Sequence, residues 1–188
     1  MKLDELDELE FEALRTGDHV TAADHLTRLA DAPVPGEVSR AELLVRAGEQ
    51  WQHAGEPAQA TQLYQLAIDD GGTVRGDPRT HLADALFELE RDDEARSLLS
   101  EIRADAPEDP DVYRRVAETL DALRDLAGAH DWSTMGVRLA LQASDVDAMC
   151  LDMLLRTRYR ARRDMNLPED SYDTMLEQLL ATGEIHKP

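Results

Sequence analysis

Residues 41–68 read AELLVRAGEQWQHAGEPAQATQLYQLAI, and their pattern sets the architecture expected of the whole chain. Leu44, Ala47, Gly48 and Trp51 recur at helical spacing, so they share one face of a first helix. Ala60, Tyr64 and Ala67 do the same on a second helix, with Gly55 between the two. Gly48, Ala60 and Ala67 are small where two helices approach, while Leu44, Trp51 and Tyr64 fill the space around them. Such alternation lets antiparallel helices interdigitate at the density of a protein interior. Ser39 and Glu42 form an S-x-x-E capping box for the first helix. Pro57 suits the first turn of the second, where its missing N–H costs nothing.

The following segment repeats this pattern. Aligned on Ala95, it puts Leu82, Ala83, Leu86, Leu99, Ile102 and Pro107 at matching places, behind Asp77 and Pro78 as cap and first turn. Leu86 replaces the aromatic residue, and Glu90 stands where the glycine between the helices would be. The combined pattern resembles the tetratricopeptide repeat. That resemblance implies an all-α fold, a right-handed stack of antiparallel helix hairpins, about five of them, in a single domain spanning 1–188.

Further hairpins are expected on either side. Residues 3–30 form a degenerate first repeat, in which Glu10 takes the place of the small residue before Gly17, Ala22, Leu26 and Leu29. Repeats at 40–69 and 76–107 follow, set off by a Pro- and Gly-containing loop at 31–38. Residues 109–143 are expected to form an extended repeat with Tyr113, Val116, Ala117 and Leu120 on its first helix. Its turn is placed at Gly128–Asp131, with Gly136, not residue 129, as the small residue of the second helix. The stretch 145–181 is a C-terminal helix pair or cap. It comprises a long helix from about Val146 to Met165, with Met149, Cys150, Met153 and Leu154 as core, and a short one opened by Pro168.

Composition limits the function. The 188 residues hold 40 Asp and Glu against 20 Lys and Arg, a net charge of -20. Such a surface repels nucleic acid and anionic membranes and attracts basic partners. One stretch runs the other way: Arg156, Arg158, Arg160, Arg162 and Arg163. Neutralisation by the chain's own carboxylates is the expected role, since nucleic-acid binding calls for stacking aromatics and only Tyr159 is interleaved. A nucleic-acid-linked or regulatory factor acting through this helix is the alternative function. Cys150 is the one cysteine, which rules out an internal disulfide and a cysteine-rich zinc site. No apolar run approaches a membrane span and the start MKLDELDELE does not read as a signal peptide, so a soluble, cytoplasmic protein is expected.

Catalysis has little support. The 6 histidines are scattered, without an H-E-x-x-H pair, and no G-x-S-x-G elbow, phosphate loop or dinucleotide fingerprint occurs. His130-Asp131, beside Trp132, is read as a helix cap. No catalytic residue, metal or cofactor is expected, and the protein is read as no enzyme. The repeat resemblance instead implies a concave groove lined by the first helix of each hairpin. Its positions are Val45, Glu49 and Gln52, then Thr80, Asp84 and Phe87, then Arg114, Glu118 and Asp121. Family members that clamp a C-terminal carboxylate carry lysine and asparagine at the first two positions of such sets, where only Arg114 here is cationic. The groove is therefore expected to take a protein or peptide with a basic or amphipathic segment, with Phe87 as its apolar anchor. Homodimerisation through the end faces is compatible with this reading.

Overall fold

The computed structural model describes residues 2–32, 37–143 and 147–182. Among these residues there are ten α-helices and no strand, so the fold is the all-α helical repeat that the sequence leads one to expect. The chain divides into two compact units, Met1–Asp105 and Ala106–Pro188. The first contains α1 (Leu3–Thr16), α2 (His19–Asp31), α3 (Arg40–His53), α4 (Pro57–Asp70), α5 (Pro78–Glu88) and α6 (Asp92–Asp105). In it α3 packs on both α2 and α4, and α5 on both α4 and α6. The second contains α7 (Pro110–Ala122), α8 (Leu126–Gln142), α9 (Ala148–Asp164) and α10 (Ser171–Thr182). There α9 packs against α7, α8 and α10. Half of the loop expected at 31–38, residues 33–36, lies outside the described residues, as does the expected helix start at Val146.

Local sequence accounts for the helix ends. Ser39 Oγ accepts from the Glu42 amide at 2.9 Å, and Asp77 and Asp109 accept in the same way ahead of Pro78 and Pro110. Glu42 does not close the expected capping box. Its carboxylate turns instead to Arg46 at 2.8 Å and to the Arg75 amide at 2.9 Å.

The turns within hairpins share one device. Gly17, Gly55, Glu90 and Arg124 all sit at positive φ after the first helix of a pair, with φ of 59° at Glu90 and 63° at Arg124. A left-handed conformation costs a non-glycine residue about 1–2 kcal/mol, so packing of the two helices holds these turns against local preference. Five residues after each comes a buried alanine: Ala22, Ala60, Ala95 and Ala129. The fourth hairpin therefore keeps the ordinary spacing, and its extended register is corrected. The segment Gly128–Asp131 is not a turn but lies within α8, because Asp125 accepts from the Gly128 amide at 3.0 Å and starts the helix early. Gly136 is buried two turns further along the same face, the place held by Ala67 in α4. There a Cβ would come within 2.9 Å of the Tyr113 Cβ and 2.6 Å of Leu154 Cδ2.

Other expectations are also revised. Pro168 does not open the last helix. Asp170 does, by accepting from the Tyr172 and Asp173 amides at 3.0 and 3.3 Å. Met149 leaves the expected core stripe and is exposed, since it lies in the first turn after the capping residue Asp147, whereas Cys150 and Leu154 are buried. Trp51 is only half-buried.

Helices α3 and α4 approach closely at Gly48. A Cβ added to Gly48 would lie 2.4 Å from Tyr64 Cε1 and 2.8 Å from Cζ. Tyr64 has no room to yield: it is fully buried, with the His81 ring 5.3 Å away, centroid to centroid. Gly48→Leu should therefore destabilise the fold by overpacking, by about 1–3 kcal/mol. The check is the thermal unfolding midpoint by circular dichroism; an unchanged midpoint would contradict the α3–α4 pairing.

Candidate partner-binding face

In the first unit, α1, α3 and α5 are bridged side by side through polar side chains. Arg46 on α3 reaches Glu10 on α1 at 3.4 Å. Glu49 on α3 lies 3.4 Å from Nδ1 of His81 on α5 and 3.6 Å from Arg46. Gln52 donates from Nε2 to Asp84 at 3.1 Å and to Glu88 at 2.7 Å, while its Oε1 accepts from the Tyr64 hydroxyl. These bonds carry one continuous face across three successive first helices.

Of the six positions expected here, the structure brings Glu49, Gln52 and Asp84 together at a partly exposed surface. It withdraws the other three. Val45 is 3% exposed, Thr80 is 3% exposed with its hydroxyl donating to the Asp77 carbonyl at 2.8 Å, and Phe87 is 6% exposed. Phe87 is corrected as the apolar anchor: it lies in the core, with the Arg96 guanidinium 5.8 Å from its ring centroid. The reason is the width of the buried stripe. On α5 it takes in Leu82, Ala83, Leu86 and also Phe87, and helices flanked on both sides bury more than one row. Glu88 joins the face although the sequence reading passed over it. The signal was its place one helical turn after Asp84, on the same side of α5.

Glu10 is the electrostatic exception of this face. One carboxylate oxygen meets Arg46, and the other, Oε1, is buried without a hydrogen-bond partner. Burial raises its pKa to about 7; Arg46 opposes the shift, and Glu49, Asp7 and Glu42 add to it. Its position, that of Gly48 in α3, explains the burial, because a packing register made for a small residue has enclosed a carboxyl group.

In the second unit, the expected positions Arg114, Glu118 and Asp121 are consumed by intramolecular ion pairs. Arg114 meets Asp111 at 2.6 Å and Glu118 at 2.5 Å, and Asp121 meets Arg160 at 2.9 Å. The arginines of α9 are likewise engaged. Arg156 pairs with Asp152 at 2.6 Å, and Arg163 lies over the Tyr159 ring. Arg158 and Arg162 are buried and hold Asp173 at 3.2 and 3.0 Å. Arg158 also pairs with Asp170, and Arg162 donates to the Pro168 carbonyl. Burial alone would raise the Asp170 pKa, but hydrogen bonds and charge from Arg158 outweigh it and hold that carboxyl below its usual range. His130-Asp131 lies inside α8 and caps nothing; the cap of that helix is Asp125. The Cys150 thiol, pushed up to about 12 by burial and then by Asp111, stays protonated at neutral pH.

Residues 52–119 match the family model of the tetratricopeptide repeat. Searches of curated proteins and of solved structures found no match.

Two expectations concern charge. A Glu10 pKa raised in the folded state contributes stability fully below the unfolded value near 4.5, and this is lost as pH rises through about 7. Amide exchange of α1, corrected for its intrinsic pH dependence, should accelerate as pH rises from the unfolded value near 4.5 to about 7 and level off above it, and Glu10→Gln should flatten the change. In the second unit, Arg158→Met leaves Asp170 and Asp173 short of their buried partner, a loss of about 3–5 kcal/mol. Denaturant unfolding should show it, and a loss below about 1 kcal/mol, the level of a surface pair, would mean the network is not held as described.

Proposed function

We propose that this chain, a tetratricopeptide-like helical repeat protein, is a non-enzymatic interaction scaffold that docks a basic or amphipathic partner segment on the acidic first-helix face of its N-terminal unit. Repeats of this family generally mediate protein–protein interaction. The observation that carries the reading is the row of carboxylates Glu49, Asp84 and Glu88, held in place by Arg46, His81 and Gln52 across α3 and α5. A net charge of -20 extends the same preference to the approach of the partner, since long-range attraction speeds the encounter of opposite charges.

Among the described residues no group of three or more His, Cys, Asp and Glu is arranged to hold a metal ion, and the lone cysteine is protonated and buried. No helix among them is long and apolar enough to cross a membrane, and a cytoplasmic setting belongs to the same reading. The second-unit positions Arg114, Glu118 and Asp121 are left out of the proposed surface because their charges are matched within α7 and α9. The same internal matching argues against nucleic-acid binding through α9.

The test is affinity capture with the full chain from nuclease-treated lysate. Wild type should retain protein partners, and the double reversal Glu49→Lys, Asp84→Lys should lose them while keeping its circular dichroism spectrum. Retention by the folded variant would move the site off this face. Recovery that depends on intact nucleic acid would favour the arginine-bearing helix instead.

A further inference from the structure

Counting back from the left-handed residue that ends each first helix, Gly17, Gly55 and Glu90, gives equivalent places on α1, α3 and α5. Phe11 and Leu14 on α1 fall at the places of Glu49 and Gln52 on α3. The acidic face thus changes character at its N-terminal end. Phe11 is 67% exposed and Leu14 63%, and Leu3, three turns earlier on the same side of α1, is exposed too. The buried face of this helix, Leu6 and Ala13, points elsewhere. Large aromatic and aliphatic side chains this open to water, grouped on one helix, mark an interaction surface rather than a core.

The surroundings say what can cover it. Asp4, Asp7, Glu8 and Glu12 are exposed on the same helix, and Arg15 is already paired with Glu12 at 2.5 Å. Toward α3 the patch adjoins Glu10, and beyond it Glu49, Asp84 and Glu88 continue the negative row. A second copy of this chain would set one carboxylate row against another, and like charges brought together across an interface are strongly unfavourable.

We infer that Phe11 and Leu14 form the apolar seat of the partner-binding face. Its occupant is a basic amphipathic segment that packs a bulky apolar side chain there and extends Lys or Arg side chains toward Glu49, Asp84 and Glu88. The inference rests on the acidic-face reading above and gives that face the anchor that Phe87, buried in the core, does not provide. The apolar contact supplies most of the affinity, and the charges supply direction and register.

Fluorescence anisotropy with two labelled helical peptides tests it on the full chain: one built of leucine and lysine, the other with serine for every leucine. Wild type should bind the leucine–lysine peptide about ten-fold or more tightly than the serine–lysine peptide, as expected when an apolar anchor is present. Phe11→Ser with Leu14→Ser, both at exposed positions, should bring the first peptide down to the level of the second and leave the second unchanged. Equal binding of the leucine–lysine peptide by wild type and this variant overturns the inference. If binding then still disappears in the Glu49→Lys, Asp84→Lys variant, the acidic face stands without its seat. If neither peptide responds to that reversal, the acidic-face reading itself fails. A dimer in sedimentation velocity that is abolished by Phe11→Ser would also overturn the inference and assign the patch to self-association.

Discussion

The close approach of α3 to α4 at Gly48 governs the first unit from its core to its surface. Without a Cβ at Gly48, the Tyr64 ring lies against the α3 backbone, fully buried and beside the His81 ring of α5. In that position its hydroxyl donates to Gln52 Oε1. The amide nitrogen of Gln52 is thereby turned outward, to Asp84 and Glu88. A missing methyl group in the interior thus helps position the Gln52 amide against the carboxylates of the first-helix face. Dense packing transmits position in this way because it leaves side chains few alternative rotamers.

Charge is arranged by a second rule. Arg114 of α7 and Arg156, Arg158, Arg160 and Arg162 of α9 lie beside carboxylates that neutralise them, most deeply where Arg158 and Arg162 enclose Asp173. Buried pairs of this kind add little net stability over an apolar core, but breaking one is costly, and they fix the seating of α10 on α9. The excess of acid is then left to the surface. Arg46 is the contrast: a single guanidinium faces Glu10, Glu42 and Glu49, and the buried Glu10 carboxyl relieves the imbalance by holding its proton up to near-neutral pH.

Repetition makes the outward positions comparable from hairpin to hairpin. The same helix place carries Phe11 on α1, Glu49 on α3 and Asp84 on α5. A repeat protein can therefore change the chemistry of its first-helix face by changing those places alone, while the buried alanines and left-handed turns keep the hairpins in register.

Much of this was legible in the chain itself. Helical spacing of Leu44, Ala47 and Gly48, the caps at Ser39, Asp77 and Asp109, and the small residues Ala60 and Ala95 are local signals. They act within one or two turns, so sequence alone determined the all-α fold and the hairpin units. The turn of the fourth hairpin was not legible, because its left-handed residue is Arg124, a conformation imposed by helix packing against the residue's own preference. The site was half legible. Glu49, Gln52 and Asp84 reach the surface as their spacing suggests, but burial of Val45, Thr80 and Phe87 depends on neighbouring helices that periodicity along one helix does not describe. Only the tertiary structure decided which face each helix loses to its neighbours, because packing area is shared between elements distant in sequence.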